Sequence, residues 1–75
     1  MKYGVVLFHT TSSVMKAEKL LVKKGFTIKL IPVPREFSSD CGLSLRFDWD
    51  RRDSVASELN AAGVEMMGIY QMSLK

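Results

Sequence analysis

The chain holds one cysteine, one histidine and one tryptophan, and its only prolines, Pro32 and Pro34, share a single short segment. Each shortage excludes something. A lone thiol, Cys41, cannot close an internal disulfide, so the fold draws nothing from an oxidising compartment. His9, with no cysteine or acidic cluster at ligand spacing, does not make a zinc or copper site, and a hydrogen-bonding role at a strand end is expected instead. No apolar run approaches the roughly 20 residues that a bilayer requires. Met1-Lys2-Tyr3 leads into the Gly4–Phe8 run without a small-residue cleavage site, so a cytoplasmic, membrane-free protein is expected. Glycine motifs that cradle phosphate, a Ser-His-Asp set and carboxylates paired by spacing are all missing, which argues for a carrier or binding module over a self-contained enzyme.

What is present describes an ordinary globular domain. With 75 residues, 47% of them apolar and 25% charged, the chain can build one core, and a single domain over residues 1–75 is expected. A net charge of +3 permits attraction to acidic partners without choosing among them.

Gly4-Val5-Val6-Leu7-Phe8 is a continuous apolar, β-branched and aromatic run, the pattern of a central strand. His9 to Ser13 is rich in helix-capping residues, and Val14, Ala17, Leu20 and Leu21 then recur at helical spacing, predicting a helix from near Ser12 to Lys24 with Gly25 as its stop. Phe26, Ile28 and Leu30 alternate with polar residues as a second strand. Pro32 and Pro34 lack ladder donors and should carry the chain out of the sheet into a loop that ends at Gly42. Leu43–Phe47 restores the alternation. Asp48 or Asp50 is expected to cap a second helix with Val55, Ala56, Leu59 and Ala62 inward and Gly63 as its stop, and Val64–Met72 supplies a fourth strand rich in methionine. Trp49 is expected to pack at the start of that helix.

The order βαββαβ, with Gly25 and Gly63 in equivalent places, predicts an α+β two-layer sandwich of ferredoxin-like topology: a four-stranded antiparallel sheet with strands one and three central and two helices on one face. That topology brings the end of strand one, the start of helix one and the loop before strand three to one edge. Cys41, His9, Thr10, Thr11, Ser12 and Arg35 all belong to it. Helix N-termini and cations stabilise a thiolate, which is what a reactive cysteine needs. The competing reading is a small buried hydrophobe at a strand start, a common role for free cysteine.

The segment Ile31-Pro32-Val33-Pro34-Arg35-Glu36-Phe37-Ser38-Ser39-Asp40-Cys41-Gly42, together with Ala17-Glu18-Lys19-Leu20-Leu21 on helix one, resembles the signature of the selenium/sulfur carrier-like family. The resemblance spans nearly the whole chain, and its Cys-Gly loop is the most specific part. It implies that Cys41 holds sulfur or selenium as a persulfide or perselenide, taken from a desulfurase-type donor and passed to an acceptor protein. No resident cofactor is implied. Pro34, Arg35, Ser38, Ser39 and Gly42 would shape the loop, with His9 and Thr10 beside it. Arg35 could stabilise anionic sulfur and the serines could donate hydrogen bonds to it. Gly42 could supply a turn closed to other residues or room for a partner.

Lys16, Lys19 and Lys23 line the polar side of helix one, as a solvated face or a docking face for an acidic protein. Strand three lacks the glycine-aromatic alternation of RNA-binding domains of this topology, which leaves nucleic acid a minor alternative. An exposed edge strand leaves a homodimer open. The alternative function is a non-catalytic interaction or regulatory domain in which the Cys41 loop is structural.

Overall fold

The computed structural model of the chain describes residues 2–37 and 41–73. Its elements run β1 (Lys2–Leu7), α1 (Thr11–Lys23), β2 (Ile28–Pro32), β3 (Leu43–Asp48), a 3-10 turn (Trp49–Arg51), α2 (Arg52–Ala61) and β4 (Gly68–Ser73). The sheet order is β2-β3-β1-β4 with every neighbouring pair antiparallel. This is the ferredoxin-like βαββαβ sandwich, with β1 and β3 in the middle as the sequence predicts.

Capping chemistry sets the element boundaries. Thr10 is extended (φ −136°, ψ 154°) and its Oγ1 accepts the Ser13 N–H at 3.1 Å, so α1 starts one turn-residue earlier than Ser12. At the far end Gly25 takes φ +87°, with its N–H donated to the Val22 carbonyl and the Phe26 N–H to that of Leu21. Gly63 (φ +71°) ends α2 in the same way, with Val64 donating to Leu59. These paired bonds are the Schellman pattern, which needs a left-handed residue that glycine supplies without steric cost.

The same bonds explain where the strands differ from expectation. Phe26 is spent on the α1 cap, so β2 begins at Ile28 instead, and it runs on to Pro32, opposite Leu43. Pro32 stays in the sheet because β2 is an edge strand, where a missing donor can face away from the ladder. Val64 is likewise spent on the α2 cap and Met67 donates to the Leu7 carbonyl at 2.7 Å, so β4 begins only at Gly68. Neither Asp48 nor Asp50 caps α2. The 3-10 turn intervenes, no side-chain cap bond forms, and the Arg52 guanidinium donates to the Trp49 carbonyl at 3.2 Å.

Strand alternation divides the sheet into two faces. Val6, Phe8, Leu45 and Phe47 face the helices and pack with Val14, Ala17 and Leu21 of α1 and Val55 and Leu59 of α2. Of the second helix's expected stripe, Val55 and Leu59 are buried, Ala56 is half-buried and Ala62 is exposed. Trp49 packs against this core, its ring 6.2 Å from that of Phe47. Gly4 lies beneath both: a β-carbon there would stand 2.5 Å from Phe47 Cζ and 2.7 Å from Trp49 Cε3.

The second face is not bare. Val5, Leu7 and Ser44 point away from the helices yet are 0%, 3% and 0% exposed. Phe37, from the β2–β3 connection, stacks on Tyr70 of β4 with ring centres 4.8 Å apart. Because β2 and β4 are opposite edges of the sheet, that contact requires the connection to fold back across this face. Ser44 settles its hydroxyl there on the Ile31 and Pro32 carbonyls, at 3.3 and 3.5 Å. Among the described residues no helix is long and apolar enough to cross a membrane.

Candidate functional site

Cys41 precedes β3 by two residues and shares the parity of Leu43, Leu45 and Phe47, so its side chain turns toward the helix layer. It is 4% exposed and packs in the same cluster as Val6, Phe8 and Val14. Its Sγ lies 3.6 Å from Oγ1 of Thr11, and either atom can be the donor. Thr11 is the first residue of α1, where unpaired amide groups give the helix its positive end.

The placement follows from the sheet register. Leu7 of β1 sits opposite Ser44 of β3, and Phe8 continues into the core. His9 and Thr10 then make the turn, Thr10 caps the helix, and the first turn of α1 comes down over the start of β3. Two segments 30 residues apart thereby meet at one sulfur atom.

The loop that carries the thiol is fastened at its neck and at its near arm. Val33 donates to the Gly42 carbonyl at 3.2 Å, extending the β2–β3 ladder past Pro32. Phe37 donates to the Pro34 carbonyl at 3.0 Å, closing a turn with Arg35 and Glu36 at its exposed corners. The Phe37 ring then anchors this arm on Tyr70.

The other expected site residues separate into groups. Thr10 stands at the right edge of the sheet, but its oxygen is committed to capping α1, and it is Thr11 that touches the thiol. His9 is exposed on that edge, and Arg35 is exposed at the turn. Pro34 is half-buried and acts through its carbonyl. Gly42 is exposed without a left-handed φ, and a β-carbon there would meet nothing within 4 Å. The turn closed to other residues is therefore not what Gly42 provides; it leaves open space beside the thiol-bearing residue. Ser38 and Ser39 lie outside the described residues. Lys16, Lys19 and Lys23 are exposed on α1.

Thr11 at the thiol, and Phe37 and Tyr70 where the loop meets the opposite sheet face, had no role assigned from sequence. Thr11 becomes identifiable only once the cap is fixed at Thr10. Phe37 and Tyr70 are aromatics in a loop and on an edge strand, and nothing in their spacing announces a contact across the sheet. Among the described residues no three His, Cys, Asp or Glu side chains come together as a metal ion would require.

No curated protein matches the chain. The family model described as "Putative Se/S carrier protein-like" matches residues 3–71, reaching from β1 through the Cys41 loop into β4, and the chain belongs to that family.

Proposed function

We propose that the protein carries sulfur or selenium on Cys41 and moves it between a desulfurase-type donor and an acceptor protein. The observation that carries this reading is the position of the chain's only cysteine: in the family's Cys-Gly loop, with its sulfur 3.6 Å from the hydroxyl of the first residue of α1. Membership of the carrier-like family supports the cargo class.

The chemistry asks little of the protein. The Cys41 thiolate attacks the outer sulfur of the donor's persulfide; one S–S bond forms as the donor's own breaks, and the donor thiolate leaves. Nothing is oxidised overall, because only the outer, sulfane sulfur moves, at an unchanged oxidation state, from one thiolate to the other. A perselenide follows the same course with an S–Se bond formed on Cys41. Release to an acceptor is the same exchange in reverse order, so no second cysteine is needed. The helix N-terminus and the Thr11 hydroxyl favour anionic sulfur. The open space beside Gly42 suits the approach of a partner's active site. At 4% exposure, Cys41 must be uncovered for the exchange to occur.

That same burial favours a second reading, in which Cys41 is a packing residue and the protein is an interaction domain that docks an acidic partner through Lys16, Lys19 and Lys23. Intact-mass measurement separates the two. After exposure to glutathione persulfide, and in parallel to a selenium donor, the carrier reading expects one added chalcogen that is absent from Cys41→Ser. A chain left unmodified while a small-thiol control is converted would sink it. The interaction reading expects charge reversal at Lys19 and Lys23 to abolish partner binding that Cys41→Ser leaves intact.

A further inference from the structure

The open part of the second sheet face holds two cations in direct register. Lys29 of β2 pairs with Arg46 of β3, and alternation turns both away from the helices. Like charges directly opposite one another on a sheet are destabilising. Among the described residues neither side chain forms an ion pair or a hydrogen bond. Both border a cleft of about 370 Å³ lined also by Thr27, Ile28, Phe47 and Asp48. A smaller recess of about 60 Å³ shares Thr27, Phe47 and Asp48 and adds Arg51.

The cations are held ready. The Arg46 guanidinium lies 4.2 Å over the Tyr3 ring, and that of Arg51 lies 5.0 Å over Phe26. Stacking occupies the flat face of a guanidinium and leaves its in-plane N–H groups free to fork onto two oxygens. Two cations thus border the cleft, a third, Arg51, borders the recess beside it, and one carboxylate, Asp48, lies on the wall of both.

We propose that this cleft binds a phosphomonoester of a small hydroxylated molecule, of mononucleotide size. Lys29 and Arg46 take the phosphate, with Thr27 as a hydroxyl donor. Asp48 would repel a bare anion but accepts hydrogen bonds from hydroxyls next to the phosphate, which is why the ligand class is hydroxylated. The volume falls in the range of small-molecule sites. The site is separate from the thiol: Arg46 is five residues along the chain from Cys41, roughly 17 Å at the rise of a strand. It therefore stands or falls independently of chalcogen transfer.

NMR titration of the intact protein with AMP, inorganic phosphate and adenosine tests it. AMP should shift resonances of Thr27, Lys29, Arg46 and Asp48 saturably, with a dissociation constant on the order of 1 mM or tighter. Adenosine should not. Lys29→Gln, an exposed edge-strand change, should weaken AMP by about threefold or more. Asp48→Asn should tighten inorganic phosphate while weakening AMP. Absent saturable shifts with AMP, shifts reproduced by potassium chloride at matched ionic strength, or an unchanged affinity in Lys29→Gln would each overturn the site. If Asp48→Asn tightens AMP as much as phosphate, the hydroxylated class is overturned.

Discussion

The hydroxyl of Thr11 and the thiol of Cys41 stand 3.6 Å apart, joining the first turn of α1 to the start of β3. Replacing Thr11 by Val keeps the shape and removes the oxygen. A net hydrogen-bond contribution of about 0.5–1.5 kcal/mol converts to a roughly two- to tenfold slower loading of Cys41 with a persulfide. Thr11 is exposed and Thr10 keeps its cap, so the urea midpoint should move little. Loading at the unaltered rate would remove Thr11 from the chemistry.

Phe37 on Tyr70 is the visible fastening of the thiol loop to the sheet. Phe37→Ala removes an aromatic pair of about 0.5–1.5 kcal/mol beyond its area burial. The cost should fall on the closed form of the loop, so a thiol reagent should alkylate Cys41 about two- to tenfold faster under native conditions. An alkylation rate equal to that of the unaltered protein would mean that this arm of the loop does not govern access.

The βαββαβ order and the two glycine stops were legible because they rest on local signals, periodicity and left-handed caps, and the central pairing of β1 with β3 followed from that order through the handedness of crossovers. Boundaries were less legible wherever one residue serves two elements. Phe26 and Val64 have strand composition, yet their amides close helices, and the strands start later. Asp48 and Asp50 have capping composition, yet a 3-10 turn displaces α2 beyond them. The meeting of Cys41 with the start of α1 followed from topology alone. Which hydroxyl touches the sulfur did not, because a one-residue change in the cap rotates the helix by about 100°. The stacking of Phe37 on Tyr70 joins opposite edges of the sheet, and no local pattern encodes a contact of that kind.

Thr10 and Thr11 should separate cleanly in stability. Thr10→Ala deletes the acceptor of the Ser13 N–H and is expected to cost about 0.5–2 kcal/mol by urea denaturation. Its effect on Cys41 loading should be smaller than that of Thr11→Val as long as the helix start stays folded. The reverse ordering, with Thr10→Ala slowing loading more at unchanged stability, would assign the thiol contact to the wrong threonine.

Gly4 tests the packing that holds the two faces together. It is in the central strand β1, where a β-carbon would lie within 2.8 Å of two Phe47 ring atoms and one Trp49 ring atom. Both rings belong to the helix-side core, so the new methyl group cannot be absorbed by a surface side chain moving aside. Overpacking of this kind costs about 1–3 kcal/mol. Gly4→Ala should therefore lower the unfolding midpoint and perturb the near-ultraviolet signal of Trp49, the only tryptophan. The strain arises where β1 meets Phe47 and Trp49 at the end of β3, far from the thiol, so Cys41 loading measured well below the melting temperature should hold its rate. A Gly4→Ala protein of unaltered stability would show that the Phe47 and Trp49 rings have room to retreat and that β1 is less tightly crossed than the ring distances require.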